Sequence, residues 1–143
     1  CHIIADQDIC DICSSHYRSK RQVCVVETLR DVMAIEDTQQ FNGVYHILGG
    51  VISPINGIGP SDLNIQSLIQ RIDSDQIEEL IMAISPTIDG DTTIFYISKL
   101  LSSRPVKIST IARGVSFGGE LEYADELTLG RSIATRIPYS TAT

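Results

Sequence analysis

The amino-acid sequence predicts an α/β fold, in which a mostly parallel four-stranded sheet is flanked by helices. Four short runs rich in β-branched residues have the composition of buried strands, at 22–27, 43–48, 77–84 and 106–112. Helical patterns separate successive strands, over about 29–38, from 64 to about 72, and over about 92–101. Strands and helices that alternate at this spacing favour a parallel sheet with helices on both faces.

The first half of the chain begins with a segment of little periodicity. Residues 1–21 hold three of the four cysteines and are expected to form a small knuckle or loop. The first strand leads into the helix at 29–38, whose candidate buried side chains are Leu29, Val32, Met33 and Ile35. Gly49-Gly50 is expected to end the second strand, because paired glycines favour a turn.

The second half continues the alternation after a long loop. Residues 51–62 are rich in proline and glycine, which are turn formers. Asn64 is suited to cap a helix whose apolar residues recur at helical spacing, namely Ile65, Leu68, Ile69 and Ile72. Pro105 separates the helix at 92–101 from the fourth strand. Beyond residue 112 we expect one helix, over about 123–135, and no clear structure in 138–143.

The charge of the chain bears on its partners. A formal net charge of −7 argues against this chain being the main nucleic-acid-binding part of the protein, because phosphate binding relies on Lys and Arg. Arg18, Lys20 and Arg21 form a small basic cluster, whose ordinary interpretation is a solvated face. Residues 62–91 hold seven acids, with Arg71 as their single base. No apolar run reaches the roughly 18 residues that suggest a membrane span, and no signal peptide is recognisable.

The spacing of the cysteines indicates a metal knuckle. Cys10 and Cys13 form a C-x-x-C pair, and Cys1 lies nine positions before Cys10. Structural zinc takes four ligands in a tetrahedron, commonly from two such pairs. The chain begins inside this pattern, so we expect a piece of a longer protein, with the fourth ligand just before Cys1 and His2 or His16 as weaker substitutes. Redox-active or unligated thiols are the alternative.

Three carboxylates follow the predicted strands. Glu27 ends the first strand, and Asp89 and Asp91 follow the third, separated by Gly90, which would permit a tight turn. The carboxyl ends of parallel strands share one edge of the sheet, where ligands gather, and carboxylate oxygens can hold Mg²⁺. The alternative is structural, because either aspartate could cap the helix expected from Thr92.

Short motifs around these strand ends connect the chain to known families. Val25-Val26-Glu27, Asp31-Val32, Gly49-Gly50 and Asp89-Gly90-Asp91 together resemble the Toprim domain, which occurs in topoisomerases, bacterial primases and some nucleases. Further stretches at 41–50, 52–60, 86–87, 111–115 and 121–129 resemble the RecR family of recombination mediators, which also contain Toprim. The resemblance extends over residues 1–137.

The resemblance implies three parts. These are a partial zinc finger at 1–21, a Rossmann-like Toprim domain at 22–112, and a C-terminal segment at 113–143 with an oligomerisation role and a Walker B-like stretch. In this family a helix-hairpin-helix DNA-binding region comes first, and the present chain lacks it. Cys1, Cys10 and Cys13 match three of the four ligands of a structural zinc ion, so the zinc site is incomplete in this chain.

The resemblance also implies a function. RecR-like proteins are cytoplasmic, nucleoid-associated recombination mediators in DNA repair. They act with RecO and RecF partners to load recombinase on single-stranded DNA gaps, as a DNA clamp and scaffold without catalysis. Full-length proteins of this family form rings, whereas we expect this chain to form a dimer or a monomer. We expect no membrane partner. The alternative function is that of a Toprim metal-dependent nuclease or nucleotidyl transferase.

The same resemblance assigns candidate site residues. Toprim enzymes use a Glu and a pair of Asp residues to hold Mg²⁺ during phosphodiester chemistry. Glu27, Asp89 and Asp91 match that set, and here they would either hold Mg²⁺ or dock a basic partner. Arg113 lies in a glycine-bearing loop and is a candidate contact for phosphate or a partner, with a solvated or structural arginine as the alternative. The sequence contains no G-x-x-x-x-G-K-[ST] loop, which argues against ATP hydrolysis.

Overall fold

A computed structural model of the chain describes residues 1–112, 118 and 120–139. Its centre is a four-stranded sheet made of β1 (Gln22–Val26), β2 (Val44–Ile47), β3 (Glu79–Met82) and β4 (Lys107–Thr110). The spatial order is β2-β1-β3-β4, and every neighbouring pair is parallel. The predicted α/β fold with a parallel sheet is therefore confirmed, although each strand is shorter than its apolar run.

Five α-helices are described, and the second, third and fourth of them connect successive strands, as the alternating pattern predicts. They are α1 (Asp11–Ser14), α2 (Leu29–Thr38), α3 (Ile65–Asp75), α4 (Ile88–Leu100) and α5 (Glu126–Ala134), with short 3-10 turns at Pro60–Asp62 and Leu121–Tyr123. The knuckle helix α1 was not predicted, because four residues are too few to show a helical period.

The core lies on both faces of the sheet. In β1, Val23 and Val25 belong to one apolar cluster, together with buried residues of α3 and α4. Cys24 and Val26 belong to a second cluster, which includes Val32 of α2. These four side chains of β1 are almost inaccessible to solvent. A strand covered on both faces has to be continuously apolar, which explains the unbroken run in the sequence.

The buried face of α2 is narrower than predicted. Val32 is buried, and Leu29 and Ile35 pack partly against the second cluster. Met33 is 61% exposed, so its assignment to the buried side is wrong. Because Met33 directly follows Val32, it is rotated by about 100° around a helix of 3.6 residues per turn and lies off the buried stripe.

Helix α4 begins earlier than predicted, and this changes the setting of the paired aspartates. Thr87 is the N-cap, and its Oγ1 accepts a hydrogen bond from the Gly90 backbone N–H at 3.0 Å. Asp89 and Asp91 therefore lie inside the first helical turn, instead of in a loop before Thr92. Their negative charges interact favourably there with the positive end of the helix dipole.

Gly90 is required by close packing and not by an unusual backbone angle. A Cβ atom built on Gly90 would lie 2.1 Å from the carbonyl oxygen of Ser85. The first turn of α4 thus packs directly on the backbone that follows β3. The expectation that Gly90 forms a tight turn is corrected accordingly.

The chain divides into two compact units, residues 1–111 and 112–143. In the second unit, Asp125 caps α5, and its Oδ2 accepts from the Thr128 N–H at 2.8 Å. The helix therefore begins at Glu126 instead of near residue 123. Among the residues that the structure describes in this unit, none is buried, and large apolar side chains such as Leu121 and Leu127 are exposed.

Within the described part of the chain, no helix has both the length and the apolar composition that crossing a bilayer requires.

Candidate functional site

The sulfur atoms of Cys1, Cys10 and Cys13 meet at one point on the first unit. The three lie within 4.8 Å of one another, and the Cys1 and Cys10 sulfurs are 3.5 Å apart. Cys10 is the N-cap of α1, where its Sγ accepts a hydrogen bond from the Cys13 N–H at 3.3 Å. The short helix therefore fixes the C-x-x-C pair with both thiols on the same side.

Main-chain and side-chain contacts hold this cysteine cluster against the sheet. The Ile47 N–H donates to the Cys1 carbonyl oxygen at 2.9 Å, which extends β2 toward the N-terminal segment. Lys20 Nζ donates to the carbonyl oxygens of Cys13 and, at 2.8 Å, Ser15. These carbonyls are at the end of α1, where the helix dipole favours a cation.

Arg71 of α3 also contacts the cysteine cluster. Its Nη2 donates to the Cys13 sulfur at 3.8 Å, and its Nη1 donates to the Tyr45 carbonyl oxygen at 2.7 Å. Burial and a hydrogen bond with Cys10 raise the pKa of the Cys13 thiol, and the charge of Arg71 acts in the opposite direction. Because a thiol must lose its proton to bind a metal, a nearby cation favours the binding form.

The donor set fits a soft metal ion. Within the described residues, Cys1, Cys10 and Cys13 are the one group of three or more Cys, His, Asp or Glu side chains whose ligand atoms lie this close together. Thiolate sulfur is a ligand typical of zinc. The cluster could therefore hold a metal ion. Neither of the histidine substitutes belongs to it, since His2 Nε2 contacts Ser67 Oγ at 2.8 Å and His16 is exposed.

A buried histidine lies beside the cysteine cluster. His46 of β2 is 1% exposed, and its Nε2 contacts the Asn64 carbonyl oxygen at 2.7 Å. Its Nδ1 is the one buried side-chain polar atom without a hydrogen-bond partner in the described part of the chain. Burial lowers the pKa of His46 to about 3, so its ring is neutral at physiological pH. The imidazole rings of His2 and His46 pack edge to face, with their centroids 5.1 Å apart.

Glu27 lies at the carboxyl end of β1 but is already engaged by the protein. Its Oε2 accepts hydrogen bonds from the Ser85 N–H at 3.0 Å and from the Ser85 hydroxyl at 2.7 Å. Asp31 binds the backbone next to it, since its Oδ2 accepts from the N–H groups of Glu27 and Thr28 at 3.3 and 3.2 Å. The glutamate therefore joins the segments that follow β1 and β3.

The paired aspartates are positioned by α4. The Asp89 carbonyl oxygen accepts from the buried Thr93 hydroxyl at 2.7 Å, and that hydroxyl accepts from the Ile52 N–H at 2.8 Å. This links the first turn of α4 to the loop after β2. Glu27, Asp89 and Asp91 do not form a group as close as the three thiols. Magnesium binding by these carboxylates stays a prediction.

The basic cluster near residue 20 is occupied by internal contacts. Arg18 pairs with Glu36 and donates to the Gly43 carbonyl oxygen at 3.0 Å, and Arg21 pairs with Glu78 at 2.9 Å. Burial disfavours ionisation of Glu36, but hydrogen bonds from Arg18 and the Tyr45 hydroxyl outweigh it and lower the pKa of Glu36. These arginines therefore stabilise the first unit. Arg113, the predicted phosphate or partner contact, lies outside the described residues.

Sequence reasoning did not identify Arg71 and Ser85 as parts of these sites. Arg71 carried one signal, since it is the single base among seven acids in 62–91. Ser85 carried none, because its role depends on the adjacency of β1 and β3 in the sheet.

Comparisons with known proteins agree with this geometry. The Toprim domain model matches residues 21–112, and the model of the RecR C-terminal region matches residues 114–137. Recombination protein RecR of Cytophaga hutchinsonii is 61% identical over 142 residues, which cover 99% of this chain and 69% of that protein. The RecR of Flavobacterium johnsoniae is 56% identical over 139 residues, covering 97% and 68%.

A third relative gives the same result. The RecR of Bacteroides thetaiotaomicron is 59% identical over 136 residues, which cover 95% of this chain and 66% of that protein. The chain thus spans about two thirds of the length of these relatives. On the strength of the matched Toprim and C-terminal regions and these identities, the chain belongs to the RecR family of recombination proteins.

Proposed function

We propose that this chain is the knuckle, Toprim and C-terminal part of a recombination mediator in DNA repair. It acts in the cytoplasm at the nucleoid, with RecO-like and RecF-like partners, to help load recombinase on single-stranded DNA gaps. The observation that carries this proposal is the match to RecR proteins across both the Toprim domain and the C-terminal region. The role is one of binding and assembly, without chemical turnover.

The cysteine cluster has a structural part in this function. We assign it to zinc, because three thiols within 4.8 Å supply three of the four ligands of a tetrahedral site. Bound zinc would join the segment before α1 to the C-x-x-C pair and so order residues 1–14, which otherwise have few buried side chains.

The carboxylates of Glu27, Asp89 and Asp91 serve as a docking surface for a basic partner in this proposal. Glu27 is held by Ser85, and Asp89 and Asp91 are fixed in the first turn of a 13-residue helix. Preset acidic groups of this kind steer an oppositely charged protein and set its register more than they add affinity. The net charge of −7 is in agreement with such a partner.

A binding experiment with a RecO-like protein tests the docking surface. We expect the chain to retain the partner and the triple variant Glu27→Gln, Asp89→Asn, Asp91→Asn to lose most of this binding at physiological salt. The control removes three exposed acids elsewhere, by Asp6→Asn, Asp37→Asn and Glu120→Gln. Equal binding by parent, variant and control, with all three shown to be folded, would remove the docking role from these carboxylates.

A second candidate function is that of a metal-dependent nuclease or nucleotidyl transferase. It is favoured by the presence in the sequence of all three carboxylates of the Toprim set, Glu27, Asp89 and Asp91. Labelled single-stranded and gapped DNA, incubated with the chain and Mg²⁺ or Mn²⁺, distinguishes the two functions. We expect no cleavage above that of the Asp89→Asn variant. Cleavage that this substitution abolishes would favour the enzyme instead.

The oligomeric state offers an independent test. We propose that this chain forms a dimer or a monomer, and that ring closure needs the additional region present in longer relatives. Light scattering on the purified chain measures the mass directly. A closed ring formed by this chain alone would contradict the proposal.

A further inference from the structure

Arg71 occupies an unusual position between the cysteine cluster and the sheet. It lies on α3 between Leu68 and Ile72, which are both buried in the main core. Its side chain is 14% exposed, so the guanidinium is largely shielded from water. A charged group this close to the core is kept only where its hydrogen bonds are satisfied.

The guanidinium contacts three different parts of the chain at once. Nη1 donates to the Tyr45 carbonyl oxygen of β2 at 2.7 Å, and Nη2 donates to the Cys13 sulfur at 3.8 Å. Nε lies 3.8 Å from Asp75 Oδ2, one turn later on α3. A planar group with several fixed donors can span these acceptors, which the single ammonium of a lysine cannot do in the same geometry.

Three other cationic side chains of the first unit contact different groups. Lys20 donates to main-chain carbonyl oxygens at the end of α1. Arg18 and Arg21 form ion pairs with Glu36 and Glu78. Arg71, by contrast, directs a donor at a candidate ligand atom.

A donor at that position has a chemical consequence for a bound metal. A divalent ion held by three thiolates has a net negative charge, which is costly to keep in a partly buried place. A cation beside one sulfur offsets this charge, and an N–H donor fixes the direction of the sulfur lone pairs. The anchor on the Tyr45 carbonyl keeps that donor in place.

We propose that Arg71 is a positioning residue for the cysteine cluster, which sets its affinity for a thiophilic divalent ion and links metal occupancy to the sheet through β2. This inference rests on the proposed metal role of Cys1, Cys10 and Cys13. It extends that role by naming a residue of the Toprim domain on which the knuckle depends. Metal binding and the stability of the first unit are then coupled through one side chain.

Zinc binding by the complete chain tests the inference. The parent chain is compared with Arg71→Gln, Arg71→Lys and the control Arg104→Gln by competition with a chromophoric chelator. Arg104 also binds α3, through Asp73 at 2.7 Å, but takes no part in the cysteine cluster. We expect Arg71→Gln to weaken zinc binding by about tenfold to a hundredfold. Arg71→Lys should recover part of the loss, and Arg104→Gln should bind as the parent does.

A second readout separates positioning from general stabilisation. The midpoint of thermal unfolding is measured for each protein with chelator and with excess zinc, because a ligand of the native state raises Tm by linkage. We expect the zinc-induced rise to be smaller in Arg71→Gln than in the parent. A residue with a purely structural role would lower both midpoints equally and leave the rise unchanged, which would overturn the inference.

The outcomes distinguish the inference from the metal proposal beneath it. If the parent chain does not bind zinc, the metal role fails, and the role of Arg71 fails with it. If the parent and Arg71→Gln bind zinc equally, only the role of Arg71 is overturned. Should Arg71→Gln not fold, Arg71→Lys decides alone, and a zinc-induced rise in Tm equal to that of the parent would overturn the inference.

Discussion

The cysteine cluster and the strand-end carboxylates both place metal-ligand side chains on the first unit, but the protein treats them differently. Three thiols meet within 4.8 Å, and Arg71 donates to one of them, the Cys13 sulfur. At the carboxyl end of β1, Glu27 is bonded to Ser85, and the aspartates belong to the first turn of α4. Both regions therefore contain side chains that can bind a metal. Of these two sets of described residues, only the cysteines bring their ligand atoms close together.

This difference bears on the proposal that the acid motif serves binding instead of catalysis. A carboxylate that is already satisfied by protein donors has less need of a cation, and it presents a fixed charge to a partner. Thiols form only weak hydrogen bonds with protein groups, so a bound metal would hold them more firmly than those hydrogen bonds do. Three predictions test this contrast, beginning with the largest effect.

The packing of the acidic turn should be the most sensitive feature. Gly90→Ala would place a Cβ atom 2.1 Å from the Ser85 carbonyl oxygen. The backbone would have to shift, and we expect a loss of about 3 kcal/mol in the free energy of unfolding, measured by urea denaturation. Such a loss would show that the first turn of α4, which carries both aspartates, is packed tightly on the backbone that follows β3.

Gly130→Ala is the matched control. A Cβ atom at this α5 position has no neighbour within 4 Å, so alanine should leave stability unchanged or raise it by up to about 1 kcal/mol. If Gly90→Ala behaves like this control, the acidic turn is adaptable and the contrast between the two regions weakens.

The buried histidine beside the cysteine cluster should make stability depend on pH. Burial lowers the pKa of His46 to about 3 in the folded chain, against an ordinary histidine pKa of 6.5. The unfolded chain thus binds more protons between these values, and stability falls as the pH falls through this range. From pH 7.5 to 5 we expect His46 to account for a loss of about 2 kcal/mol, measured by urea denaturation in the presence of chelator.

His46→Gln supplies the comparison, because glutamine keeps a donor and does not titrate. Its stability should decline less steeply over the same pH range than that of the parent chain. Identical slopes for the two proteins would mean that His46 can be protonated without cost, and that the region beneath the cysteines is open to water.

The tie between Glu27 and Ser85 should have the smallest effect. Ser85→Ala removes the hydroxyl that donates to Glu27 at 2.7 Å but leaves the Ser85 N–H in place. We expect a loss of about 0.5 to 1 kcal/mol and no change in zinc affinity. Ser102→Ala, which removes a hydroxyl bonded to the Lys99 carbonyl oxygen, controls for losing an exposed hydroxyl. A change in zinc affinity with Ser85→Ala would contradict the independence of the two regions.

Much of the fold was accessible from the sequence because its signals are local. The apolar runs predict the strands, and the period of Ile65, Leu68 and Ile72 predicts α3 together with its buried face. Boundaries were less accessible. The glycine at position 90 suggested a turn, whereas the helix continues through it because Thr87 provides the cap.

The sites show the same limit. The C-x-x-C spacing and the position of Cys1 identified the three cysteines, and the structure brings these sulfurs together. The partners of the candidate residues could not be predicted in the same way. Arg71 meets Cys13 across 58 positions of sequence, and Ser85 meets Glu27 across the same separation. Contacts of this kind depend on strand order, which local composition does not determine.

The most direct test of this account is equilibrium zinc binding by the parent chain, by Cys10→Ser, and by the triple variant Glu27→Gln, Asp89→Asn, Asp91→Asn. We predict that the parent binds zinc, that Cys10→Ser loses at least about tenfold in affinity, and that the triple variant stays within about twofold of the parent. Zinc binding that survives Cys10→Ser but is lost in the triple variant would contradict the account, because the carboxylate edge would then be the metal site.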